Sequence, residues 1–400
     1  MKIVYFYQYF STPKGSWGTR VYEFAKDWVK KGHEVTIITS IYSKSDLKAR
    51  KLIEDQYFDG IHVKVLNIYI DNKQIKLRRI WSFIKYFTLS SWYALTVEAD
   101  IVIASSGPIT VGIPGLVAKI IRRRKLIFET RDLWPDGAIE LGIISNSIVK
   151  KIAYWFELIC YKNASHIVCL SPGMVKNIEK RFGYKKLTSI SNSVDMKMFS
   201  KNIESLPPIF YKDKKIAIYT GNIGLVNNSF LLLRAAIKLK ELNNNEIVIV
   251  LIGDGQKKDE LLEIKLKMQL NNFIILDLMT KMDLVKFIKH SMVSIVPLKD
   301  TAILDTSSPN KLFEALAAGI PVIQNTKGWI KDLLEDNMCG ITVNADNESE
   351  LVQALIKLSK NDNLVKLMGE NGRKLAEKEF TSNFLADKML KVIENVHSSK

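Results

Sequence analysis

The stretch "DTSSPNKLFEALAAGIPVI", Asp305 to Ile323, predicts a loop, a helix, a glycine stop and a short apolar strand. Ser308 is placed to cap the helix, Pro309 fits its first position and Gly319 fits a left-handed exit. Lys311 then falls in the first turn, where the positive end of the helix dipole disfavours a cation. Either an anion lies in front of this turn, or Lys311 is an ordinary solvated lysine.

The same alternation of apolar runs and amphipathic stretches continues in both directions from this segment. Strand candidates before residue 200 are "KIVYFYQ", "HEVTIITS", "DIVIASS", "KLIFET" and "HIVCLS". Those after it are "KIAIYTG", "EIVIVLIG", "NFIILDL", "VSIVPL" and "IPVIQN". Short apolar strands separated by helices are typical of parallel sheets covered on both faces. We therefore predict an α/β protein with two doubly wound, Rossmann-like domains that face a cleft.

The domain limits follow from a break in this pattern. Residues 191–215 are polar, show no sustained period and include Pro207-Pro208, so they are predicted to form the linker. The first domain is predicted over residues 1–200 and the second over 201–380. The C-terminal helix, about residues 381–400, is predicted to pack back on the first domain. Ligands are expected at the carboxyl ends of the strands.

The composition excludes several classes of protein. The apolar fraction of 47% and charged fraction of 25% are those of a globular chain. The three cysteines form no C-x-x-C pair, which argues against a disulfide framework or a zinc knuckle. The start lacks the features of a signal peptide, and no apolar run is long enough to span a membrane. A cytoplasmic protein is expected.

The net charge of +16 is concentrated in the first half of the chain. Residues 1–200 hold 31 Lys and Arg against 17 Asp and Glu. This half should meet a phosphorylated substrate, an anionic lipid surface or nucleic acid. The basic and aromatic stretch 72–95 predicts a helix at a membrane surface, with contacts from Arg78, Arg79, Trp81 and Phe83. The alternative is a core helix whose basic residues face water.

Several nucleotide and metal motifs are absent. There is no G-x-x-x-x-G-K-[ST], and "GDGQKK" is only a partial match to the dinucleotide motif, so ATPase and dehydrogenase chemistry are disfavoured. No D-x-D pair is present, so no metal and no other cofactor is expected. Positive side chains and helix N-termini would instead compensate a diphosphate. No module that reads nucleic acid is recognisable, which disfavours nucleic acid as the partner.

Two charged segments follow strands of the first domain. In "PKGSWGTR", Gly15 and Gly18 allow close backbone approach, and Arg20 can reach an anion; the alternative is an ordinary turn between strand and helix. In "FETRDLWP", the charged residues are either functional or a buried ion pair. These residues are Glu129, Arg131 and Asp132.

Six segments together resemble the retaining glycosyltransferases of family 4, which have the GT-B architecture of two Rossmann-like domains. They are "GHEVTIITS", "FETRDLWPDGAIELG", "SNSVDMKMF", "YTGNIG", "LIGDGQ" and "SSPNKLFEALAAGIPVI". The resemblance covers nearly the whole chain. The "RDLWP" and "SPNKLFE" forms are similar to a subgroup that builds bacterial surface polysaccharides, including N-acetylfucosamine transferases.

The resemblance implies a donor site in the second domain. The donor diphosphate would lie at the N-terminus of the helix after Ser308, with Lys311 as a phosphate ligand. Glu314 would hold both ribose hydroxyls, as the second glutamate of the family's E-x7-E motif does. The implied donor-site residues are Gly221, Asn222, Gly253, Ser307, Ser308, Asn310, Lys311 and Glu314. This sequence departs from the family in having Thr306 in place of the first glutamate, and Asn222 and Asn228 in place of a basic pair.

The resemblance also implies the reaction. Arg131-Asp132 occupies the place of a His-Asp pair; Arg131 would stabilise the departing phosphate, and Asp132 or Glu129 would orient or deprotonate the acceptor. The expected enzyme is a metal-independent retaining glycosyltransferase at the inner face of the cell membrane. It would use a UDP-sugar, with UDP-N-acetyl-sugars favoured, and a polyprenyl-pyrophosphate-linked saccharide in O-antigen or capsule synthesis. A GT-B sugar-nucleotide epimerase, a non-catalytic glycan binder and a basic nucleic-acid-binding protein are the alternatives.

Overall fold

The computed structural model describes residues 1–71, 73–200, 214–224 and 226–399. The chain divides into two units, Met1–Ser191 with Ser382–Lys400, and Asn192–Thr381. The Pro207-Pro208 part of the predicted linker lies outside the described residues. The predicted boundary after residue 200 differs from this division, because the short helix that ends at Ser200 belongs to the second unit. Arg373 of that unit donates a hydrogen bond from Nη2 to Ser200 Oγ at 3.2 Å.

The first unit contains an eight-stranded sheet. Its strands are β1 (Lys2–Phe6), β2 (Glu34–Tyr42), β3 (Ile53–Phe58), β4 (Ile61–Ile70), β5 (Ile101–Ser106), β6 (Lys125–Thr130), β7 (His166–Cys169) and β8 (Leu187–Ser189). They are arranged in the order β3-β4-β2-β1-β5-β6-β7-β8. All neighbouring strands are parallel except β3 and β4, which pair in antiparallel orientation.

The β3–β4 hairpin corrects the prediction of a purely parallel sheet. Phe58 pairs with Ile61 across a two-residue loop, in which Asp59 and Gly60 have φ angles of +50° and +82°. Positive φ at both loop residues is the conformation that Asp-Gly favours in tight hairpins. β3 lies at the sheet edge and its residues alternate in exposure, so it lacks the continuous apolar run that marked the other strands.

The helices of the first unit are α1 (Arg20–Lys30), α2 (Lys76–Thr96), α3 (Gly112–Ile120), α4 (Asp136–Glu140), α5 (Ser147–Asn163) and α6 (Pro172–Phe182). α3 packs against both α2 and α5, so these three helices are neighbours in one layer. The buried face of α1 carries Phe24, Ala25 and Trp28, at the three- and four-residue spacing of an amphipathic helix.

The second unit contains a six-stranded, wholly parallel sheet. Its strands are β9 (Lys215–Asn222), β10 (Ile247–Asp254), β11 (Phe273–Leu276), β12 (Val293–Val296), β13 (Val322–Gln324) and β14 (Gly340–Thr342), in the order β11-β10-β9-β12-β13-β14. The strand order reverses between β9 and β12. In sheets of this kind ligands bind at the carboxyl ends of the strands, at that reversal.

The helices of the second unit are α7 (Met196–Ser200), α8 (Ser229–Glu241), α9 (Lys258–Lys267), α10 (Lys281–Lys289), α11 (Asn310–Ala318), α12 (Trp329–Asp336), α13 (Glu348–Ser359) and α14 (Asp362–Glu379). The last helix, α15 (Ser382–Ser398), belongs to the first unit. There Trp28 Nε1 donates a hydrogen bond to the Ala386 carbonyl at 3.0 Å, which ties α15 to α1.

The prediction of two doubly wound α/β domains is confirmed. The central strands are fully buried and read as continuous apolar runs because helices cover both faces of each sheet. Among the described residues, no helix combines the length and apolar character needed to cross a bilayer.

Candidate functional site

The carboxyl ends of β9 and β10 approach each other closely. Gly253 pairs with Gly221, and a Cβ added to Gly253 would lie 1.8 Å from the Gly221 carbonyl oxygen. Gly221 has a φ of +131°, in the region that favours glycine. The strand contact therefore explains both glycines that were predicted to bind the donor. The loop after β9 is held in place by hydrogen bonds between Ile223 N and Asp254 O and between Lys257 N and Ile223 O, both 3.0 Å long.

Lys311 lies across the end of β9. Its ammonium is 4.0 Å from the centroid of the Tyr219 ring and donates a hydrogen bond to Asn227 Oδ1 at 2.8 Å. The lysine is only 8% exposed, and its side-chain end would be in contact with a methyl group added to Gly221. Burial raises the pKa of Tyr219, which keeps the phenol neutral beneath the cation. The structure therefore places a held cation beside the strand reversal and rules out the solvated lysine.

Glu314 forms an ion pair with Lys281, which sequence reasoning missed. Lys281 is the first residue of α10, and Glu314 lies on α11, which packs against α10. Glu314 is 6% exposed. The sequence did hold a signal for Lys281, because Thr280 followed three residues later by Asp283 is typical of a helix start. In the structure Thr280 Oγ1 caps α10 by accepting a hydrogen bond from Asp283 N at 3.2 Å. Lys281, like Lys311, is therefore a lysine in the first turn of a helix.

The predicted start of α11 is wrong by one residue. The helix begins at Asn310, Pro309 precedes it, and no side chain caps it. Ser308 does not cap the helix because it is bonded to Asn192 instead. The backbone N of Asn192 donates a hydrogen bond to Ser308 Oγ, and Asn192 Nδ2 donates one to the Ser308 carbonyl. Gly319 has a φ of +72°, which confirms the predicted left-handed exit.

The resemblance implies backbone N–H groups near Ser307 and Ser308 for the diphosphate, but the Ser307 N–H itself is already used. Ser307 N donates to the Leu304 carbonyl at 3.0 Å, and its own carbonyl accepts from Trp329 Nε1 at 2.7 Å. Asn310 and Asn222 are both half-buried, at the start of α11 and the end of β9. The N-terminal N–H groups of α11 follow the serines, and of these Leu312 N donates to the Pro309 carbonyl at 3.1 Å.

In the first unit, Glu129 is the centre of a buried polar group. It is 0% exposed and is paired with Arg20, which is 3% exposed. Tyr5 donates to Glu129 Oε2 at 2.6 Å, and Ser105 donates to the same oxygen. Burial raises the pKa of Glu129, but the charges of Arg20 and Arg131 and the two hydroxyl donors outweigh it, so the pKa lies below its ordinary value. Such a carboxylate is held as an anion and is a poor proton acceptor.

This arrangement corrects two expectations. Arg20 was expected to reach an anionic ligand, but its Nε and Nη2 donate to the carbonyls of Ser191 and Ile190 at 3.0 and 3.1 Å. Each of the three guanidinium nitrogens of Arg20 thus donates a hydrogen bond inside the unit. Glu129 was a candidate catalytic residue, and the ion-pair alternative explains it instead.

Arg131 and Asp132 follow Glu129 at the end of β6. Arg131 Nη1 lies 4.0 Å from Glu129 Oε2, and its guanidinium carbon is 5.1 Å from the centroid of the Tyr7 ring. Asp132 is exposed. The structure thus brings Arg20, Glu129 and Arg131 together and leaves Asp132 as the carboxylate of this segment that faces solvent.

The loop between β1 and α1 is held by Asp46. Its carboxylate accepts from Ser11 Oγ, Thr12 N and Thr12 Oγ1 at 3.2, 2.9 and 2.6 Å. A Cβ on Gly15 would lie 2.2 Å from Ser11 Oγ, so packing explains this glycine. Gly18 is half-buried, shortly before α1 begins.

The membrane candidates on α2 do not share one face. Trp81 is 61% exposed and Arg78 is exposed, whereas Phe83 and Arg79 are half-buried. The guanidinium carbon of Arg79 lies 5.6 Å from the centroid of the Phe83 ring. Residues two positions apart point to different sides of a helix. The expectation that Phe83 inserts together with Trp81 is therefore wrong.

Solved structures with the same fold identify the class of protein. The chain matches sucrose-phosphate synthase from Thermosynechococcus elongatus with a TM-score of 0.76 at 13% identity, over 100% of both chains. It matches Anabaena HepE in complex with UDP and glucose with a TM-score of 0.71 at 15% identity, over 98% of this chain and 99% of that one. At such identities the likeness shows the fold alone, and the fold is GT-B.

Sequence profiles identify the family. The profile described as Glycosyltransferase Family 4 matches residues 18–197, and the one described as Glycosyl transferases group 1 matches residues 201–375. The two ranges together cover most of the chain, which belongs to the GT-B glycosyltransferases of family 4 and group 1.

One curated relative has a defined activity in its name. The chain is 26% identical over 259 residues to the N-acetylgalactosamine-N,N'-diacetylbacillosaminyl-diphospho-undecaprenol 4-alpha-N-acetylgalactosaminyltransferase of Campylobacter jejuni. The match covers 62% of this chain and 64% of that relative, just under two thirds of its length.

Proposed function

We propose that this glycosyltransferase moves a sugar from a UDP-sugar to a lipid-linked saccharide, with retention of anomeric configuration and without an essential metal. The observation that carries the donor half of the proposal is the placement of Lys311 and Glu314. They lie three residues apart on one face of α11, both nearly buried, at the carboxyl edge of the sheet. The positioned ammonium of Lys311 would bind the diphosphate of the donor, and the carboxylate of Glu314 would bind the ribose next to it.

The diphosphate would bind against Lys311. The lysine is already positioned by Tyr219 and Asn227, so little side-chain entropy is lost when an anion arrives. The N-terminus of α11 adds its positive dipole end. Lys311 would take the place of the basic pair that the family carries where this chain has Asn222 and Asn228.

The ribose would bind Glu314. A carboxylate accepts from both vicinal hydroxyls, and burial strengthens those charge-assisted hydrogen bonds. Lys281 keeps the carboxylate oriented through its contact with one oxygen, Oε1, so that the other oxygen is the first to meet the ribose.

The transfer step uses the charged end of β6. The C1–O bond to UDP breaks and the acceptor oxygen bonds C1 on the same face. Arg131 stays protonated and stabilises the departing phosphate, while exposed Asp132 orients the acceptor hydroxyl and takes its proton. We assign no part of this step to Glu129, because its carboxylate is enclosed by Arg20, Tyr5 and Ser105.

The acceptor class is inferred from two observations. The Campylobacter relative is named for a diphospho-undecaprenol acceptor, and the first half of this chain carries most of the positive charge. A polyprenyl-pyrophosphate saccharide would satisfy that charge. The protein would then act at the cytoplasmic face of the membrane in O-antigen or capsule synthesis, with an N-acetylated sugar such as N-acetylfucosamine as a donor candidate.

A thermal-shift panel of UDP-, GDP-, ADP- and dTDP-sugars tests the donor. We expect UDP-sugars to raise the melting temperature most, because ligand binding stabilises the folded state by mass action. Release of UDP that depends on a polyprenyl-pyrophosphate saccharide tests the transfer. A sugar epimer formed without any acceptor would instead favour the epimerase, and stabilisation by nucleic acid but not by nucleotide-sugars would overturn the proposal.

A further inference from the structure

The outer face of the helix layer α2–α3–α5 carries rows of exposed apolar side chains. On α2 the row contains Leu77, Trp81 and Trp92, which are 75%, 61% and 63% exposed. Multiples of three and four residues separate them, so they share one face of the helix. Exposed Lys85 and Thr88 lie between Trp81 and Trp92 at the same spacing, so this face carries apolar groups towards both ends of α2 with a cation between them.

α5 carries a second row that the sequence did not reveal. Ile148, Ile152 and Trp155 are 66%, 58% and 62% exposed, and their spacing places them on one face. The helix is anchored through other residues, since Glu157 and Cys160 are fully buried. The row is thus a surplus of exposed apolar surface and not part of the packing of α5.

α3 lies between α2 and α5. α3 packs against both α2 and α5, and its last residues lead into Ile120 and Ile121, which are 61% and 63% exposed. Arg122 and Arg123 follow directly and are also exposed. The end of α3 and the segment that follows it thus add exposed apolar groups and cations to those of α2 and α5.

The charges of the helices themselves have one sign at the surface, although Glu98 and Asp100, just after α2, line a cavity with Ile121, Arg122 and Arg123. α2 contains no Asp or Glu, and neither does the segment 109–125. The single acidic residue of α5, Glu157, is buried and paired with Arg181. Among the residues whose exposure is described, the exposed charged groups of the three helices and of the segment after α3 are Arg78, Lys85, Arg122, Arg123, Lys151 and Lys162.

We propose that the α2–α3–α5 face binds the interface of an anionic bilayer, with α5 as a membrane-contacting helix alongside α2. Helices that pair apolar rows rich in Trp and Ile with flanking Lys and Arg lie in the headgroup region, where each cation near the surface also gains from the negative potential. A second copy of the chain is a poor occupant because it would oppose cations to cations. The proposal rests on the proposed function only for the lipid nature of the acceptor.

Co-sedimentation of the full chain with phosphatidylcholine vesicles, with and without phosphatidylglycerol, tests this proposal without any donor or acceptor. We expect binding to the anionic vesicles alone. Ile152→Glu/Trp155→Glu should abolish most of it without lowering the melting temperature, because both side chains are exposed. Leu266→Glu on α9, where the leucine is 73% exposed, is the matched control and should bind as the wild type does.

Charge is tested separately. Lys151→Gln should lower partitioning into the anionic vesicles about fivefold, since one Lys near an anionic surface contributes about 1 kcal/mol. Lys267→Gln on α9 is its control.

Equal binding to both vesicle types, no binding to either, or equal losses in α5 and α9 variants would overturn the proposal. A concentration-dependent dimer that Ile152→Glu/Trp155→Glu abolishes would assign the face to a second copy instead. A protein that UDP stabilises but vesicles do not retain would refute the membrane face alone, and the reverse would refute the donor site alone.

Discussion

Lys281 and Glu314 form an ion pair between the first turn of α10 and the second turn of α11, with side chains 17% and 8% exposed. The carboxylate proposed to hold the donor ribose is therefore compensated before any donor binds. A nearly buried charge that loses its partner is costly, so the lysine supports the site even where it touches no ligand.

Glu314→Gln should weaken binding of UDP by about 1–3 kcal/mol, because an amide offers one acceptor oxygen to two ribose hydroxyls. Isothermal titration with UDP measures this, and turnover should fall in parallel. Glu335→Gln on α12, an exposed glutamate, is the control. Wild-type affinity and turnover in the Glu314 variant would exclude the ribose role.

Lys281→Met should weaken binding of uridine as well as of UDP, since Lys281 acts by orienting Glu314. A loss of about tenfold corresponds to 1.4 kcal/mol, within the range of a charge-assisted hydrogen bond. Lys286→Met on the same helix, where the lysine side chain is 45% exposed, should change neither. A loss confined to UDP would show that Lys281 meets phosphate directly and is not a positioning residue.

Lys311→Met should have the opposite ligand dependence. It removes the cation beside Gly221, so UDP binding should fall by about 1.5–3 kcal/mol while uridine binding is retained. Asn227→Ala should show the same pattern at about 0.5–1.5 kcal/mol, because it releases the ammonium without removing it. If uridine and UDP weaken equally in both variants, Lys311 is not the diphosphate ligand.

Glu129→Gln should lower the free energy of unfolding of the first unit. It leaves buried Arg20 without its carboxylate, which costs about 3–5 kcal/mol. The folded pKa of Glu129 is lowered, so its contribution is complete above the ordinary value of 4.5 and is lost as the pH falls through the lower folded value. Urea unfolding across this acid range measures both effects. A Glu129→Gln protein with wild-type stability and no turnover would restore Glu129 as a catalytic residue.

Turnover should be insensitive to EDTA. Within the described residues no cluster of three His, Cys, Asp or Glu side chains is placed to hold a metal ion, and cations are present to meet the diphosphate. Rates with EDTA and with added Mg²⁺ or Mn²⁺ test this expectation. Activity that EDTA abolishes and Mg²⁺ restores would contradict the proposed metal-free site.

The two-domain α/β fold followed from local patterns. Fully buried strands read as apolar runs whatever they pair with, and the left-handed exit at Gly319 needs only a residue without a Cβ. The hairpin of β3 and β4 was missed although Asp59-Gly60 marks it, because an edge strand with one wet face has no such run. The start of α11 was misplaced because Asn192, distant in sequence, occupies Ser308.

The sequence by itself determined which residue types were out of place: a lysine at the start of a helix, and clustered charges at the end of β6. Only the tertiary structure decided what each meets. Lys281 reaches Glu314 across 33 positions, and Arg20 reaches Glu129 across 109, because sheet order and crossover helices bring them together. Side-chain periodicity carries no such information about distant pairs. The same limit hid the exposed row of α5, since Ile148, Ile152 and Trp155 have the spacing of a buried helix face, and only the packed structure shows that none of the described residues of the first unit covers them.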